Sequence, residues 1–217
     1  PVLPELTIDQ AFTPQPALRD WIYETFIYET GAIYNPSHFH LNQAHILVLT
    51  TLVDNEMKGR TIVGQAESFN AKGDPWKKAR QRMQIQQWYD PSGKIFPDFI
   101  ITFDHEYITE ADPASVCALV EHELLHCAQK TDEYGMPAFN KRTGLPKFTI
   151  RGHDVEEFVE VVERYGSEAT GTTELVRAAN RGPLSQRPRS RPVCAVPASA
   201  RLHRKSPTKW PGFSGSL

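Results

Sequence analysis

The stretch "VEHELLHCAQ", residues 120–129, decides how the rest of the chain is interpreted. It contains two histidines four positions apart, His122 and His126, with Glu123 directly after the first. On an α-helix, residues four apart lie one turn above another, so the two imidazoles can bind one zinc ion. Glu123 would then lie beside that ion, where a carboxylate can take a proton from zinc-bound water and deliver it to a leaving amine.

The residues around this motif predict that it lies on a helix. Asp112 can accept hydrogen bonds from the free N–H groups of a helix start, and Pro113 suits the first helical position. We therefore expect a helix from this point to about Lys130. One apolar stripe follows the spacing i, i+3, i+7, i+10: Cys117, Val120, Leu124 and Cys127. Because Leu124 lies about 200° round the helix from His122, the stripe and the histidines should face opposite ways.

A catalytic zinc ion needs a third protein ligand besides these two histidines. His153 is the best candidate, because it lies 27 residues beyond His126 and an antiparallel return over that distance is easy. Zinc also accepts carboxylates, so Asp154, Glu156 and Glu157 are alternatives. In a different interpretation, His153 and Asp154 only cap the following helix and the glutamates form its solvated face.

Apolar periodicity predicts both helices and strands in the rest of the body. A first helix is expected within residues 13–31, a pair of strands within 44–69, a further strand within 96–108 and a last helix at 153–166. The apolar stripe of the last helix would be Val155, Phe158, Val162 and Tyr165. Residues 70–94 mix turn signals with a basic, aromatic segment, which indicates either a short helix or a long loop.

The charge of the chain is divided between an acidic body and a basic tail. Residues 1–176 contain 15 Lys and Arg against 26 Asp and Glu, whereas residues 177–217 contain 9 Lys and Arg and no acidic residue. The tail is rich in Pro, Ser and Arg without apolar periodicity, which predicts disorder. It is either a solvated tail without a specific partner or an arm that binds nucleic acid weakly.

Composition predicts an intracellular, cytoplasmic protein without a membrane span. The longest apolar run, residues 46–53, is far shorter than the roughly 20 residues that a membrane helix needs. The first residues lack the basic start and apolar stretch of a secretory signal. Three cysteines without close pairs, Cys117, Cys127 and Cys194, argue against a disulfide framework and for a reducing compartment.

Three segments carry a resemblance to a known family: "EHELLHCAQ" (121–129), "DEYGMPAF" (132–139) and "GHDVEEFVEVVERYG" (152–166). Together they resemble the phage metallopeptidases, zincins carried on phages and prophages. A helix bearing HExxH with a later histidine opening another helix is also similar to SprT-like metalloproteases. Those motifs usually have glycine after the last histidine, whereas this chain has Asp154 there, with Gly152 before it.

The resemblance implies a fold class, a domain organisation and a set of site residues. The fold would be α+β and zincin-like, a small mixed or antiparallel sheet packed on an active-site helix. A zincin-like metallopeptidase domain at 15–176 would follow an N-terminal extension at 1–14 and precede the tail at 177–217. The site would comprise the zinc ligands His122, His126 and His153, with Glu123 as general base.

The resemblance also suggests where a substrate would bind. In zincins an edge strand before the active-site helix pairs with the extended substrate, which makes "DFIITF" (98–103) a candidate for that strand. The alternative is an ordinary core strand. Tyr134 could stabilise a tetrahedral oxyanion, although the sequence does not show where its hydroxyl group lies. His105 and Glu106 directly follow the predicted strand.

Two further histidines, His38 and His40, could hold a metal from one strand, but an exposed turn is the commoner explanation. The leading function is therefore a zinc-dependent peptidase of phage or prophage origin that acts on peptides or proteins. One alternative is a non-catalytic phage protein with a structural zinc site and a nucleic-acid-binding tail. Another is a zinc hydrolase that cleaves a non-peptide amide. Glu123 and an open fourth coordination position separate the first function from a structural site.

Overall fold

The computed structural model describes residues 11–182 of the 217-residue chain. Most of the predicted N-terminal extension, Cys194 and the predicted disordered tail beyond residue 182 lie outside the described residues. Two described elements lie at the predicted domain boundaries. Residues 12–14 form a strand of the main sheet, and a helix at 173–181 runs across the boundary between residues 176 and 177.

The described chain combines helices and strands, which confirms the expected α+β class. The α-helices are α1 (Pro16–Ile22), α2 (Pro75–Tyr89), α3 (His105–Glu110), α4 (Pro113–His126), α5 (Val159–Ala169) and α6 (Thr173–Arg181). A π-helical turn follows α1 at Tyr23–Ile27, and a 3-10 helix spans Pro36–Gln43. The strands are β1 (Phe12–Pro14), β2 (Ile46–Thr51), β3 (Glu56–Met57), β4 (Arg60–Thr61), β5 (Gly64–Glu67), β6 (Phe99–Asp104), β7 (Cys127–Gln129) and β8 (Phe148–Ile150).

Four strands form one small mixed sheet in the order β1-β2-β6-β5. The central pair, β2 and β6, is parallel, and the outer strands pair antiparallel to them. The two apolar runs predicted within residues 44–69 form β2 and β5, with the short β3–β4 hairpin between them. They do not pair with each other, because β6 lies between them.

Side chains alternate between the two faces of this sheet, and each face is covered by different helices. The main core lies between one face and α1, α3 and α4. Strand residues Val48, Ile101 and Phe103 contribute to it, each 1% exposed or less. On the opposite face Leu47, Leu49 and Ile100 pack against the C-terminal half of α2. Residues 70–94, for which the sequence indicates either a short helix or a long loop, therefore contain a helix, α2.

Helix α4 begins as predicted but ends four residues early. The Asp112 carboxylate accepts hydrogen bonds from the Ala114 and Ser115 N–H groups at 3.0 and 3.2 Å. All four residues of the predicted stripe are buried, at 8% exposure or less. The helix ends at His126 rather than near Lys130, because residues 127–129 leave the helical conformation and pair with β8. The apolar periodicity of the stripe continues beyond His126 to Cys127, so the sequence does not indicate where the helix ends.

The predicted last helix is wrong at its start. Helix α5 begins at Val159, and residues 151–158 are not helical, so His153 does not open a helix. The stripe proposed for that helix is not buried, since Phe158 is 72% and Tyr165 63% exposed. Gly166 has φ +80°, which breaks the helical conformation there as expected, but the chain turns back into helix after it.

The strand expected to bind substrate also differs from the prediction. Residues 99–104 form β6, which lies inside the sheet with hydrogen-bonded neighbours on both sides. It is a core strand, and no backbone edge is open for a substrate. The edge strand next to α4 is β5.

The two leucines inside the HExxH motif provide a test of how α4 packs. Leu124 is completely buried and Leu125 is 42% exposed. Leu124→Ala should lower the free energy of unfolding by about 2–5 kcal/mol, because it leaves a cavity in the core. The matched change Leu125→Ala should cost less than about 1 kcal/mol. Urea denaturation of the metal-free protein measures both, and equal losses would contradict the orientation of the helix.

Candidate metal centre

Three histidines converge at the C-terminal end of α4. His122 and His126 lie one turn apart on the helix, and His153 reaches the same point from the segment after β8. The His122 Nε2 atom lies 3.2 Å from His126 Nε2 and 3.1 Å from His153 Nε2. One nitrogen from each ring falls within 4.8 Å of the others.

The spacing of these nitrogens fits a metal ion. Zinc–nitrogen bonds of 2.0–2.1 Å in a tetrahedral arrangement place the nitrogens about 3.3 Å apart. Burial, and next the neighbouring rings of His126 and His153, lower the pKa of His122 to about 4. His122 is therefore neutral at pH 7 and can offer a lone pair.

Hydrogen bonds to the outer ring nitrogens orient two of the imidazoles. His126 Nδ1 lies 2.6 Å from the Arg151 carbonyl oxygen, which can only accept, so Nδ1 carries a proton and the lone pair of the neutral ring is on Nε2. His153 Nδ1 lies 3.4 Å from Glu156 Oε1, and this carboxylate oxygen also acts as an acceptor. Outer partners of this kind fix the tautomer and ring direction of metal-binding histidines.

A β-ribbon explains how His153 reaches α4. Strand β7 starts directly after His126 and pairs antiparallel with β8, with Cys127 opposite Ile150. The Arg151 N–H continues this pairing by donating to the His126 carbonyl at 2.9 Å. The ribbon therefore returns the chain to the end of α4, and His153 follows two residues later.

The carboxylates considered as alternative third ligands have other partners. Asp154 forms an ion pair with the Arg151 guanidinium. Glu157 accepts a hydrogen bond from the Phe158 N–H at 2.8 Å. Glu156 approaches the outer nitrogen of His153, and none of the three belongs to the cluster of converging side chains.

Glu123 is buried beside this cluster. Its side chain is 3% exposed, and burial raises its pKa to about 7, while a hydrogen bond with the backbone of Ala66 acts in the opposite direction. A carboxyl group with a pKa near neutrality can both take and return a proton at pH 7. Ala66 belongs to β5, so the edge strand of the sheet directly contacts this carboxylate.

Gly64 provides the space that Glu123 occupies. A Cβ atom at this position of β5 would lie 2.8 Å from Glu123 Oε1 and 2.8 Å from Leu119 Cδ1. Both contacts are shorter than real Cβ atoms tolerate, so the strand and α4 approach this closely only with glycine there. Gly64 is not among the site residues expected from the sequence, although an isolated glycine within a strand pattern is a signal of close approach.

These observations agree with the comparison of the chain with known families. A family described as "Putative phage metallopeptidase" matches residues 19–180. The chain belongs to this family. No curated protein and no solved structure matches the chain.

Membership of a metallopeptidase family implies a metal, and the only cluster among the described residues that could hold one is His122, His126 and His153. His38 and His40 are not part of it. The expectation that they lie in an exposed turn is wrong, because His38 is completely buried and its Nε2 lies 3.8 Å from Glu121 Oε1. His40 Nε2 lies 2.7 Å from the Cys127 carbonyl oxygen, at the end of α4.

The remaining candidates from the sequence lie outside the cluster. Tyr134 is 81% exposed in the turn between β7 and β8, so a role at an oxyanion stays a prediction. His105 and Glu106 open α3 after β6, where burial lowers the pKa of His105. Cys117 and Cys127 are both free and buried. Within residues 11–182 no helix is both long enough and apolar enough to cross a membrane.

The buried carboxyl of Glu123 predicts a pH-dependent stability of the metal-free protein. Its pKa of about 7 exceeds the ordinary value of 4.5, so the folded state holds this proton more tightly than the unfolded chain. The resulting stabilisation is complete below pH 4.5 and is lost as the pH rises through 7. Glu123→Gln, which imitates the protonated form, should gain roughly 2–3 kcal/mol over wild type between pH 5 and pH 8.

Chemical denaturation in the presence of EDTA measures this difference. Glu163→Gln, the same change at an exposed position of α5, is the matched control, and the pH-dependent gain of Glu123→Gln should exceed the gain that this control shows. A constant offset for Glu123→Gln would contradict the burial of the carboxylate.

Proposed function

We propose that this chain is a zinc-dependent peptidase with a zincin-like active site, in which His122, His126 and His153 hold the metal. The observation that carries this proposal is the convergence of three imidazole nitrogens beside a buried glutamate. Membership of the metallopeptidase family supports it independently. The natural substrate would be a peptide or a protein.

The donor set supports a catalytic site in preference to a structural one. A structural zinc site is closed by four protein ligands, whereas a catalytic site has three and leaves one position open. Among the described residues the cluster contains three ligands. Glu123, buried and adjacent, would have no function in a closed structural site. Imidazole donors, with no cysteine in this cluster among residues 11–182, favour zinc over softer metals.

The chemistry would be divided between the metal and the chain. A bound zinc ion supplies Lewis acidity, which lowers the pKa of water and polarises a carbonyl group. Glu123 would accept the proton from the attacking water and pass it to the nitrogen of the leaving amine. The Arg151 carbonyl and the Glu156 carboxylate would keep the rings of His126 and His153 directed inward.

The edge strand β5 is the proposed binding surface for an extended peptide. It replaces β6, which the sequence suggested, because β5 has an open edge and contacts α4. A peptide that pairs with β5 would gain main-chain hydrogen bonds and lie next to Glu123, which contacts the backbone of Ala66.

Metal binding tests the proposed ligands. His153→Ala should lower zinc affinity nearly as much as His122→Ala, and by more than the roughly 10–100-fold that loss of an outer hydrogen-bond partner costs. Glu156→Gln should stay within that smaller range, since Glu156 contacts only the outer nitrogen of His153. Glu157→Gln should bind zinc like wild type.

Competition with a chromophoric chelator measures these affinities, and elemental analysis gives the stoichiometry. A larger loss in Glu156→Gln or Glu157→Gln than in His153→Ala would reassign the third ligand to a carboxylate.

Turnover tests the role of Glu123. Glu123→Gln retains the size of the side chain but removes the base, so it should keep its zinc and lose about 10²–10⁴-fold in turnover. Glu163→Gln serves as the exposed control and should match wild type. A labelled peptide library or denatured casein is the substrate, with phenanthroline as the check that cleavage depends on metal.

The two possible failures of this experiment have different meanings. Metal-dependent cleavage that is equally fast in Glu123→Gln would refute the proton transfer but leave the metal site intact. Tight binding of one zinc ion without cleavage of any library member would favour the structural-zinc alternative.

A further inference from the structure

A groove of about 530 Å³ lies on the face of the sheet opposite to the three histidines. It runs between α2 and the segment after β5. Its lining is Phe69, Lys77, Arg80, Gln81, Gln84, Ile85 and Trp88. The volume is within the range of sites that bind small organic groups. The proposed peptidase chemistry does not use it.

The groove is positively charged, whereas the body of the protein is acidic. Helix α2 contains four Lys and Arg and no acidic residue in 15 positions, although residues 1–176 carry an excess of 11 negative charges. Two of its cations, Lys77 and Arg80, line the groove. Lys77 lies 3.6 Å from Asp74 Oδ2, while Arg80 forms no ion pair with any residue in 11–182. A positive site on an acidic body selects an anionic ligand.

The base of the groove is aromatic. Trp88 and Phe69 are half-buried, and Phe69 in turn packs on Phe96 with ring centroids 5.2 Å apart. Such supported rings can stack on the flat face of a base, which is a large part of the affinity of single-stranded nucleic-acid sites. The amide of Gln84 makes no hydrogen bond within the described chain, so it can bond to the edge of a base.

The exposed half of α2 argues against a membrane surface as the partner. Every residue from Pro75 to Gln84 is exposed, including Trp76 at 84% and Met83 at 56%. Arg80 lies only about 40° round the helix from Trp76, so cations interrupt the apolar side. Helices that bind membranes separate the two faces. An acidic peptide would use the cations but not the stacked rings.

We infer that this groove binds single-stranded nucleic acid, with phosphates at Lys77 and Arg80 and a base stacked on Trp88 and Phe69. This site is distinct from the basic tail, which lies in another part of the sequence. It requires neither the metal nor Glu123, so its test is independent of the peptidase proposal.

The test measures binding of fluorescein-labelled (dT)12 and (rU)12 to the full chain by fluorescence anisotropy at several salt concentrations. The double variant Lys77→Gln/Arg80→Gln should bind about tenfold more weakly at low salt. Its slope of log affinity against log salt should be smaller by about 1.4, since each lost phosphate contact on a single strand removes about 0.7. Both replaced residues, Lys77 and Arg80, are exposed, so folding should be unaffected.

A matched control separates the groove from total charge. Lys141→Gln/Arg142→Gln removes the same charge from an exposed turn between β7 and β8, and should remain within about twofold of wild type. The tail is unchanged in every variant, so its contribution cancels. Phe69→Leu tests stacking, and should weaken binding about fivefold with the cations intact.

Two outcomes would overturn the inference. The first is no binding of either oligonucleotide; binding to vesicles containing phosphatidylglycerol that requires Lys77 and Arg80 would then assign the groove to a membrane surface. The second is equal loss in the groove variant and its control, which would assign binding to overall charge or to the tail. A preference for one probe would identify the ligand as DNA or RNA.

Discussion

The packing of one face of α4 against the sheet is the constraint on which the candidate site depends. Leu119, Val120 and Leu124 are at most 1% exposed, so the rotation of the helix about its axis is fixed by the core. With that rotation fixed, His122 and His126 must lie on the side away from the core. Glu123 lies between the two faces. It is therefore close enough to the core to lose its hydration, and it also lies beside the histidine cluster.

Sequence was a sufficient guide wherever local chemistry determines structure. The cap at Asp112, the buried stripe and the orientation of the histidine pair all follow from positions within one helix, and the structure confirms each of them. The strand at 99–104 was also expected, because β-branched and aromatic residues are enriched in β-strands. The third histidine was the best candidate on chemical grounds, although the helix expected to carry it does not exist there.

The errors share a physical cause, which is that long-range pairing overrides local preference. Residues 127–129 continue a helical pattern but become a strand because β8 is available to them. Whether a strand lies inside a sheet or at its edge depends on the neighbours it meets, so β6 could not be placed from its own residues. His38 illustrates the same point, since its burial beside Glu121 joins segments more than 80 residues apart.

The ribbon between His126 and His153 means that an ion at this centre would also act as a cross-link. Two of its ligands are present as soon as α4 forms, whereas the third arrives only when β7 and β8 have paired. Part of the binding free energy would therefore offset the entropy cost of closing the loop between His126 and His153. For a flexible loop, that entropy cost grows by only about 0.6 kcal/mol for each doubling of loop length. The connection at residues 131–147 has hydrogen bonds of its own, with the Ala138 N–H donating to the Lys130 carbonyl at 2.8 Å and the Lys147 N–H donating to the Ala138 carbonyl at 3.0 Å. These bonds and the β7–β8 pairing, more than the length of the connection, therefore control how tightly the ion is held.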